Sequence, residues 1–252
     1  MQKSLETRIS IELVPRDAAA LQAELRQVRE AFQAVQLINL PDLPRFSLRS
    51  WEGCALVRPL FSHAIPHIRA TDILVDQPPP MAERLRALGL QEVLLITGDP
   101  HPDRPAPANA CTLLQAIRHF KACMPELRVY AALDPYRQSF RQEYAYLQEK
   151  LAAGADGFFT QPFFDLRLME MYAELLAATP IFWGVSPVTT ESSRAYWEKR
   201  NHVLFPAHFA PTLEWNRAFA RAALAFARQQ QSHIYFMPIR TDVVQYLEGI
   251  LS

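Results

Sequence analysis

Eight short apolar runs alternate with helical stretches along a chain of 252 residues, and this alternation predicts an α/β protein built as a single (βα)8 barrel, the TIM barrel. The length agrees with this fold, since about 250 residues is typical of one such barrel. No break in composition divides the chain, so we expect one domain over residues 1–252. An open, doubly wound sheet is the alternative architecture.

Each predicted strand is a short run rich in β-branched and aromatic residues. The runs cover residues 8–14, 35–41, 64–70, 92–98, 128–133, 157–163, 180–186 and 233–239. Because the same order of strand and helix repeats eight times, the strands are expected to be parallel.

Helices are predicted between the runs because apolar residues recur there at helical spacing. The clearest examples are Leu21, Leu25, Val28 and Phe32 after the first run, and Phe140, Tyr144, Leu147 and Leu151 before the sixth. Asp165 is a typical N-cap for the helix after the sixth run. The second helix has the weakest support, because Pro41, Pro44 and Pro59 leave little room for it.

The charge balance excludes a typical nucleic-acid binder, because 26 basic residues are matched by 26 acidic ones and no basic cluster stands out. No run approaches the roughly 18 apolar residues of a membrane span, and the first residues lack the apolar segment of a signal peptide. We therefore expect a soluble, cytoplasmic protein, and leave a homo-oligomer open. Three widely spaced cysteines, Cys54, Cys111 and Cys123, are expected to be reduced and mostly buried.

In a (βα)8 barrel the active site lies at the carboxyl ends of the strands. Polar residues at the ends of the predicted strands are therefore the candidates for function. They are Glu12, Asn39, His67, Asp99, Asp134, Gln161, Ser186 and Arg240.

Two of these candidates are carboxylates with two interpretations each. Glu12 lies in an otherwise apolar strand, where burial would raise its pKa and suit it to general acid catalysis; the alternative is a structural carboxylate paired with an arginine. Asp99 follows the fourth strand directly, so it is either a binding or catalytic group or part of an ordinary Gly-Asp-Pro turn.

The segment of residues 154–165 places an uncharged polar pair, Thr160 and Gln161, inside an otherwise apolar strand. A strand buried on both faces is normally a continuous apolar run, so a buried amide there needs a hydrogen-bond partner. We expect that partner to be a ligand.

Several common kinds of site have little support. His63 and His67 are four residues apart on a predicted strand, where a shared metal is a minor interpretation, and the chain lacks the usual metal-ligand motifs. Ser139 and Ser186 lack the context of a nucleophile elbow. Gly-x-Gly-x-x-Gly and Walker loops are absent from the sequence, which leaves binding of a cofactor at the barrel rim open.

Six segments occur in the same order and at similar spacing as in the methylenetetrahydrofolate reductases: ISIELVPRD, PHIRATD, LLITGDP, QEYAYLQEKLAAGADGFFTQPFFD, PIFWGVSPV and HVLFPAHF. The chain resembles this family over about residues 8–240. The most specific part is residues 150–165, which resemble the family pattern K-x-x-AGAD-x-x-x-TQ-x-x-FD.

The resemblance implies a barrel that binds FAD, takes hydride from NADH or NADPH and passes it to methylenetetrahydrofolate in one-carbon metabolism. It implies that Glu12 is the catalytic acid that protonates the bridging folate nitrogen, and that Asp99 lies near both flavin and pterin. It further implies that Gln161, with Asp99 and Arg240, binds the folate. The positions that match flavin contacts are His67, Asp99, Ala132, Glu143 and Lys150.

The chain departs from the family mainly on the flavin side. Thr97 replaces the usual arginine, residues 133–138 replace the Tyr-Pro-Glu-x-His-Pro segment, and further departures are Pro41, Arg69, Ala70 and Glu149. FAD is therefore expected to bind weakly or not at all. The alternatives are direct hydride transfer from nicotinamide to folate, a relative that oxidises methyltetrahydrofolate, and a non-catalytic folate-binding partner subunit, although retention of Glu12 argues against the last.

Overall fold

The computed structural model describes residues 6–98 and 106–251. Within these residues eight parallel strands pair in chain order, and the eighth strand pairs with the first. The strands are β1 (Ile9–Glu12), β2 (Leu37–Leu40), β3 (His63–Arg69), β4 (Glu92–Ile96), β5 (Arg128–Leu133), β6 (Gly157–Pro162), β7 (Ile181–Val185) and β8 (His233–Phe236). The closed (βα)8 barrel is confirmed, and the open sheet is excluded because the β1–β8 pair leaves no edge.

All eight predicted runs contain most or all of a strand, with boundaries that differ by a few residues. The helices are α1 (Ala18–Ala31), α2 (Ser50–Val57), α3 (Ala82–Ala87), α4 (Leu113–Cys123), α5 (Phe140–Ala152), α6 (Leu166–Leu175), α7 (Glu191–Asn201), α8 (Leu213–Gln229) and α9 (Val243–Leu247), with a short 3-10 helix at Ala70–Asp72. The weakly supported second helix exists, since α2 fits between the flanking prolines as eight residues. Asp165 caps α6 as predicted, because its carboxylate accepts a hydrogen bond from the Arg167 backbone N–H at 3.0 Å.

The two faces of the strands form different apolar layers. Outward-facing residues such as Ile11, Ile38 and Val93 pack against the helices. Inward-facing residues fill the barrel as a separate cluster of Leu37, Ile65, Leu94, Tyr130, Phe159, Phe182, Tyr235 and Met237. Since this cluster fills the middle of the barrel, polar side chains that face inward above it, at the carboxyl ends of the strands, line the barrel mouth.

The cysteines are free thiols, with Cys54 and Cys111 buried and Cys123 partly exposed, as predicted. Among the residues that the structure describes, no group of three potential metal ligands comes together. None of the helices in the described ranges is both long and apolar enough to cross a membrane.

Candidate active site

A cavity of about 310 Å³ opens at the barrel mouth between the end of β1 and the turn that follows β8. Its lining includes Glu12 from β1, Arg240 and Asp242 from the turn, and Glu24 and Gln27 from the polar face of α1. Acidic, basic and amide groups therefore surround a space of the size used for small ligands, which start at about 300 Å³.

Successive residues of a strand point to opposite faces. Ile9 and Ile11 of β1 point outward and pack against the helices, so Glu12 points inward, toward the mouth. Its side chain is only 14% exposed, and burial raises its pKa to about 7. Among the described residues no arginine or lysine lies within 4.0 Å of the carboxylate, so the arginine-paired alternative is wrong for this structure. A carboxyl that is partly protonated at neutral pH has the property required of a general acid.

His67 lies close to Glu12, with its Nε2 atom 3.9 Å from Glu12 Oε2. His67 is 6% exposed, and burial lowers its pKa to about 3, so the imidazole is neutral at physiological pH. Its backbone is held in place by Ser50, whose hydroxyl donates to the His67 carbonyl at 2.5 Å. Nε2 has no hydrogen-bond partner among the described residues.

Asn39 lies between these two residues, on the strand that separates β1 from β3, and is opposite Glu12 in the register. It is fully buried, and its amide NH2 group donates to Ser10 Oγ at 2.9 Å. Its Oδ1 atom has no hydrogen-bond partner among the residues described. The wall of the mouth beside Glu12 is therefore polar, and Asn39 Oδ1 is an acceptor that no described residue uses.

The prediction of a buried amide at Gln161 is wrong, because this residue is exposed. The register of β6 shifts between Phe159 and Pro162, as in a β-bulge, which interrupts the regular alternation of faces. Thr160 is buried but already paired: its hydroxyl accepts from the Gly184 N–H at 2.8 Å, and its carbonyl accepts from the Tyr235 hydroxyl. The polar pair thus separates into a structural threonine and an exposed glutamine.

Glu143, a predicted flavin contact, is fully buried behind the loop that joins β5 to α5. Its carboxylate accepts hydrogen bonds from the Asp134 backbone N–H at 3.1 Å and from Gln138 Nε2 at 2.8 Å, and Arg137 lies 3.3 Å away. Glu143 therefore holds the loop in place with all of its oxygens engaged by the protein.

Lys150, the second predicted contact on α5, is 1% exposed. Its ammonium group donates to the Ala132 carbonyl at 2.6 Å and lies 3.7 Å from Glu143 and 4.1 Å from the centre of the Tyr146 ring. Burial lowers the Lys150 pKa to about 8. The ammonium is thus occupied inside the protein, and it also engages the carbonyl of Ala132, a third predicted contact.

Arg69 lies at the end of β3, opposite Ile96 of β4, at a position where the resembled family has threonine. It is 5% exposed, and its guanidinium donates to Thr71 Oγ1 at 3.3 Å. A Cβ atom on Gly98 would lie 2.9 Å from Arg69 Nε, so this corner is closely packed. The side chains of Glu143, Lys150 and Arg69 are thus all engaged with protein partners, which disfavours a flavin in this part of the mouth.

Three predicted site residues remain: Asp99, Arg240 and Ser186. Asp99 lies outside the described residues. Arg240 is exposed on the cavity rim, in a left-handed conformation with φ of 56°. Ser186 is buried and donates to the Met237 carbonyl at 2.9 Å, so it ties the ends of β7 and β8 together.

The sequence interpretation missed the contribution of α1 and α9 to the site. Glu24 and Gln27 line the cavity. In the sequence they cannot be told from ordinary solvent-facing residues of an amphipathic helix. Asp242 caps α9, since its carboxylate accepts a hydrogen bond from the Gln245 N–H at 2.8 Å. The one sign of this role in the sequence is that aspartate is a common N-cap residue.

A family model described as methylenetetrahydrofolate reductase matches residues 54–223. The fold is similar to a Clostridium thermocellum protein reported to bind two copies of 5-methyl-5,6,7,8-tetrahydrofolic acid, with a TM-score of 0.67, 10% identity and coverage of 98% of this chain and 94% of that one. It is also similar to a dihydropteroate synthase from Stenotrophomonas maltophilia (TM-score 0.56, 14% identity, 98% and 92% coverage). A 2,3-dimethylmalate lyase matches with a TM-score of 0.58, 9% identity and 94% and 76% coverage. At these identities the structural matches establish the barrel fold alone.

Proposed function

The chain belongs to the methylenetetrahydrofolate reductase family, and we propose that it catalyses hydride transfer between a nicotinamide cosubstrate and a methylenetetrahydrofolate-type substrate. The observation that carries this proposal is Glu12, a carboxyl at the barrel mouth whose pKa is raised by burial to about 7 and which has no basic partner within 4.0 Å among the described residues. This is the environment that a general acid needs near neutral pH.

The folate is proposed to enter the cavity beside Glu12. Gln161 is exposed near the carboxyl end of β6, so its amide is available to pair with the polar edge of a pterin ring. Arg240, in the turn after β8, is exposed on the cavity rim and is suited to a carboxylate of the substrate tail. The cavity of about 310 Å³ suits the ring system, with the tail lying along the rim.

Glu12 then supplies the proton that opens the substrate. It protonates the bridging nitrogen N10, the bond from N10 to the methylene carbon breaks, and the bond's electron pair stays on N10. The lone pair of N5 forms a double bond to the methylene carbon, which gives an iminium ion. Hydride from NADH or NADPH adds to this carbon to give the methyl product and the oxidised nucleotide. The reverse sequence, oxidation of methyltetrahydrofolate, uses the same groups with Glu12 as base.

We propose that hydride passes directly from the nicotinamide, because Glu143, Lys150 and Arg69 are engaged with protein partners at the positions where a flavin would be held. Flavin-dependent transfer is the second candidate. It is favoured by the retention of His67, Glu143 and Lys150 at positions that match the flavin contacts of the family.

The test is an anaerobic assay of protein that has been stripped of flavin, with methylenetetrahydrofolate and either NADH or NADPH. We expect oxidation of the nucleotide and formation of methyltetrahydrofolate, with rates and melting temperature unchanged by added FAD. Turnover that requires FAD would establish the second candidate. No turnover with either nucleotide, with or without FAD and in either direction, would contradict the proposed function.

A further inference from the structure

Two buried titratable side chains face each other at the mouth of the barrel. Glu12 on β1 and His67 on β3 both point inward, and only β2 separates their strands. The 3.9 Å between Glu12 Oε2 and His67 Nε2 is about one ångström longer than a hydrogen bond. In ligand-free active sites such bonds are often long, and they shorten when the substrate binds.

His67 Nε2 is a buried polar atom without a hydrogen-bond partner among the described residues. Leaving such an atom unpaired is unfavourable, and native proteins rarely do so. The Ser50 hydroxyl fixes the His67 backbone by donating to its carbonyl. In the part of the chain that the structure describes, the carboxylate found within 4.0 Å of Nε2 is that of Glu12.

The pair does not behave as an ion pair. Burial raises the pKa of Glu12 to about 7 and lowers that of His67 to about 3, so the shared proton lies on the carboxyl and the imidazole is neutral. A neutral imidazole carries one N–H donor and one acceptor nitrogen. With the N–H on Nε2, His67 can donate to one oxygen of Glu12 while the other oxygen keeps the acidic proton.

We propose that His67 is a positioning residue, whose Nε2–H donates to Glu12 so that the protonated oxygen is directed at the substrate nitrogen. When the proton moves to that nitrogen, Glu12 becomes a carboxylate and the same hydrogen bond stabilises its charge. His67 stays neutral throughout, and solvent returns the proton to Glu12. This role rests on the proposed function of Glu12 and gives His67 a task other than contact with a flavin.

Other titratable groups also face Glu12 or its cavity and must stay unchanged in the test. Tyr235 on β8 is buried, and burial raises its pKa well above the ordinary value, so it is neutral. Among the described residues, the other charged groups that line the cavity are Arg16, Glu24, Arg240 and Asp242.

The experiment compares the pH dependence of folate turnover in His67→Leu, His67→Gln and the wild type. Turnover should fall as pH rises through the pKa of Glu12, because the protonated acid is the active form. Loss of the N–H donor in His67→Leu should lower maximal turnover about tenfold and move this fall to higher pH, because the carboxylate loses its stabilising bond. His67→Gln retains an N–H donor, so its maximal turnover and the pH at which turnover falls should both be close to those of the wild type. His63→Leu, on the same strand at the opposite end of the barrel, is the control and should leave the pH of the fall unchanged.

A double-mutant cycle separates this role from a merely structural one. In a Glu12→Gln background, His67→Leu should cause little further loss of turnover, whereas an equal loss in both backgrounds would overturn the proposal. A 13C NMR titration of the Glu12 carboxyl, in the free protein and with methyltetrahydrofolate bound, tests the contact without an assay of turnover. A higher pKa in His67→Leu in either state supports the proposal, and an unchanged pKa in both states overturns it. If the wild type lacks turnover, the proposed function fails while this titration still decides the contact.

Discussion

Single polar residues at the mouth of the barrel fall into two groups. Thr160 and Ser186 are buried and bonded to neighbouring strands, so they hold the strand ends in position. Gln161 and Arg240 are exposed, and Glu12 is a carboxyl without a basic partner within 4.0 Å among the described residues. Substitutions in the first group should act on stability, and those in the second on ligand binding and chemistry.

Gln161→Ala should weaken binding of methyltetrahydrofolate by about 1–3 kcal/mol, because a polar group of the pterin loses its partner. The melting temperature should stay near that of the wild type, since the side chain is exposed. Thr160→Val is the matched control and should lower the melting temperature, because the buried Gly184 N–H loses its acceptor. Calorimetric titration that showed unchanged folate affinity in Gln161→Ala would remove this residue from the site.

The raised pKa of Glu12 also predicts a pH dependence of stability. The unfolded carboxyl titrates near 4.5 and the folded one near 7, so the stability of the wild type falls as pH rises through this window. Below the window both states are protonated and the group has no effect. Glu12→Gln removes the charge, so at pH 8 the variant should be more stable than the wild type by up to roughly 3 kcal/mol.

Denaturant unfolding of the Glu12→Gln variant and the wild type at pH 4.5 and at pH 8 measures this difference. The two proteins should differ far less at the lower pH than at the higher one. An equal difference at both values would mean that the folded carboxyl titrates normally, and the environment described for Glu12 would then be wrong.

Helix α5 carries two buried charged residues, Glu143 and Lys150. Lys150→Met removes the ammonium beside the buried Glu143 carboxylate, which keeps Arg137 at 3.3 Å, so the free energy of unfolding should fall by about 1–3 kcal/mol. Lys121→Met is the control, because Lys121 and its partner Asp156 are partly exposed and the loss should be smaller. Urea unfolding of flavin-free protein measures both. Equal and small losses would mean that Lys150 is held for a ligand instead of for the fold.

The elements were largely predictable because a strand covered on both faces leaves a short apolar run in the sequence. Asp165 was predictable as a cap because the N-cap requirement is local. Gln161 was placed in the interior because the sequence gives no sign of the register shift in β6, which depends on the partner strand β7. The neutral buried state of His67 likewise depends on its surroundings and not on its neighbours in the chain.

On the scale of the whole molecule, barrel closure assembles the site from residues that are far apart in sequence. Glu12, Asn39 and His67 come from three adjacent strands, and the turn after β8 completes the cavity because β8 pairs with β1. The residue types could be proposed from the sequence, and Glu12 and Arg240 do line the cavity. Their distances could not, because the 3.9 Å between Glu12 and His67 depends on how the strands are arranged around the barrel.

The most direct measurement is folate turnover by Glu12→Gln, with folate affinity determined on the same preparation. Glutamine has nearly the same shape as the glutamic acid but no acidic proton, so binding should be retained. Turnover should fall by roughly two to four orders of magnitude, the usual contribution of general acid catalysis. A variant that binds folate and turns it over at a rate close to that of the wild type would contradict the assignment of Glu12 as the acid.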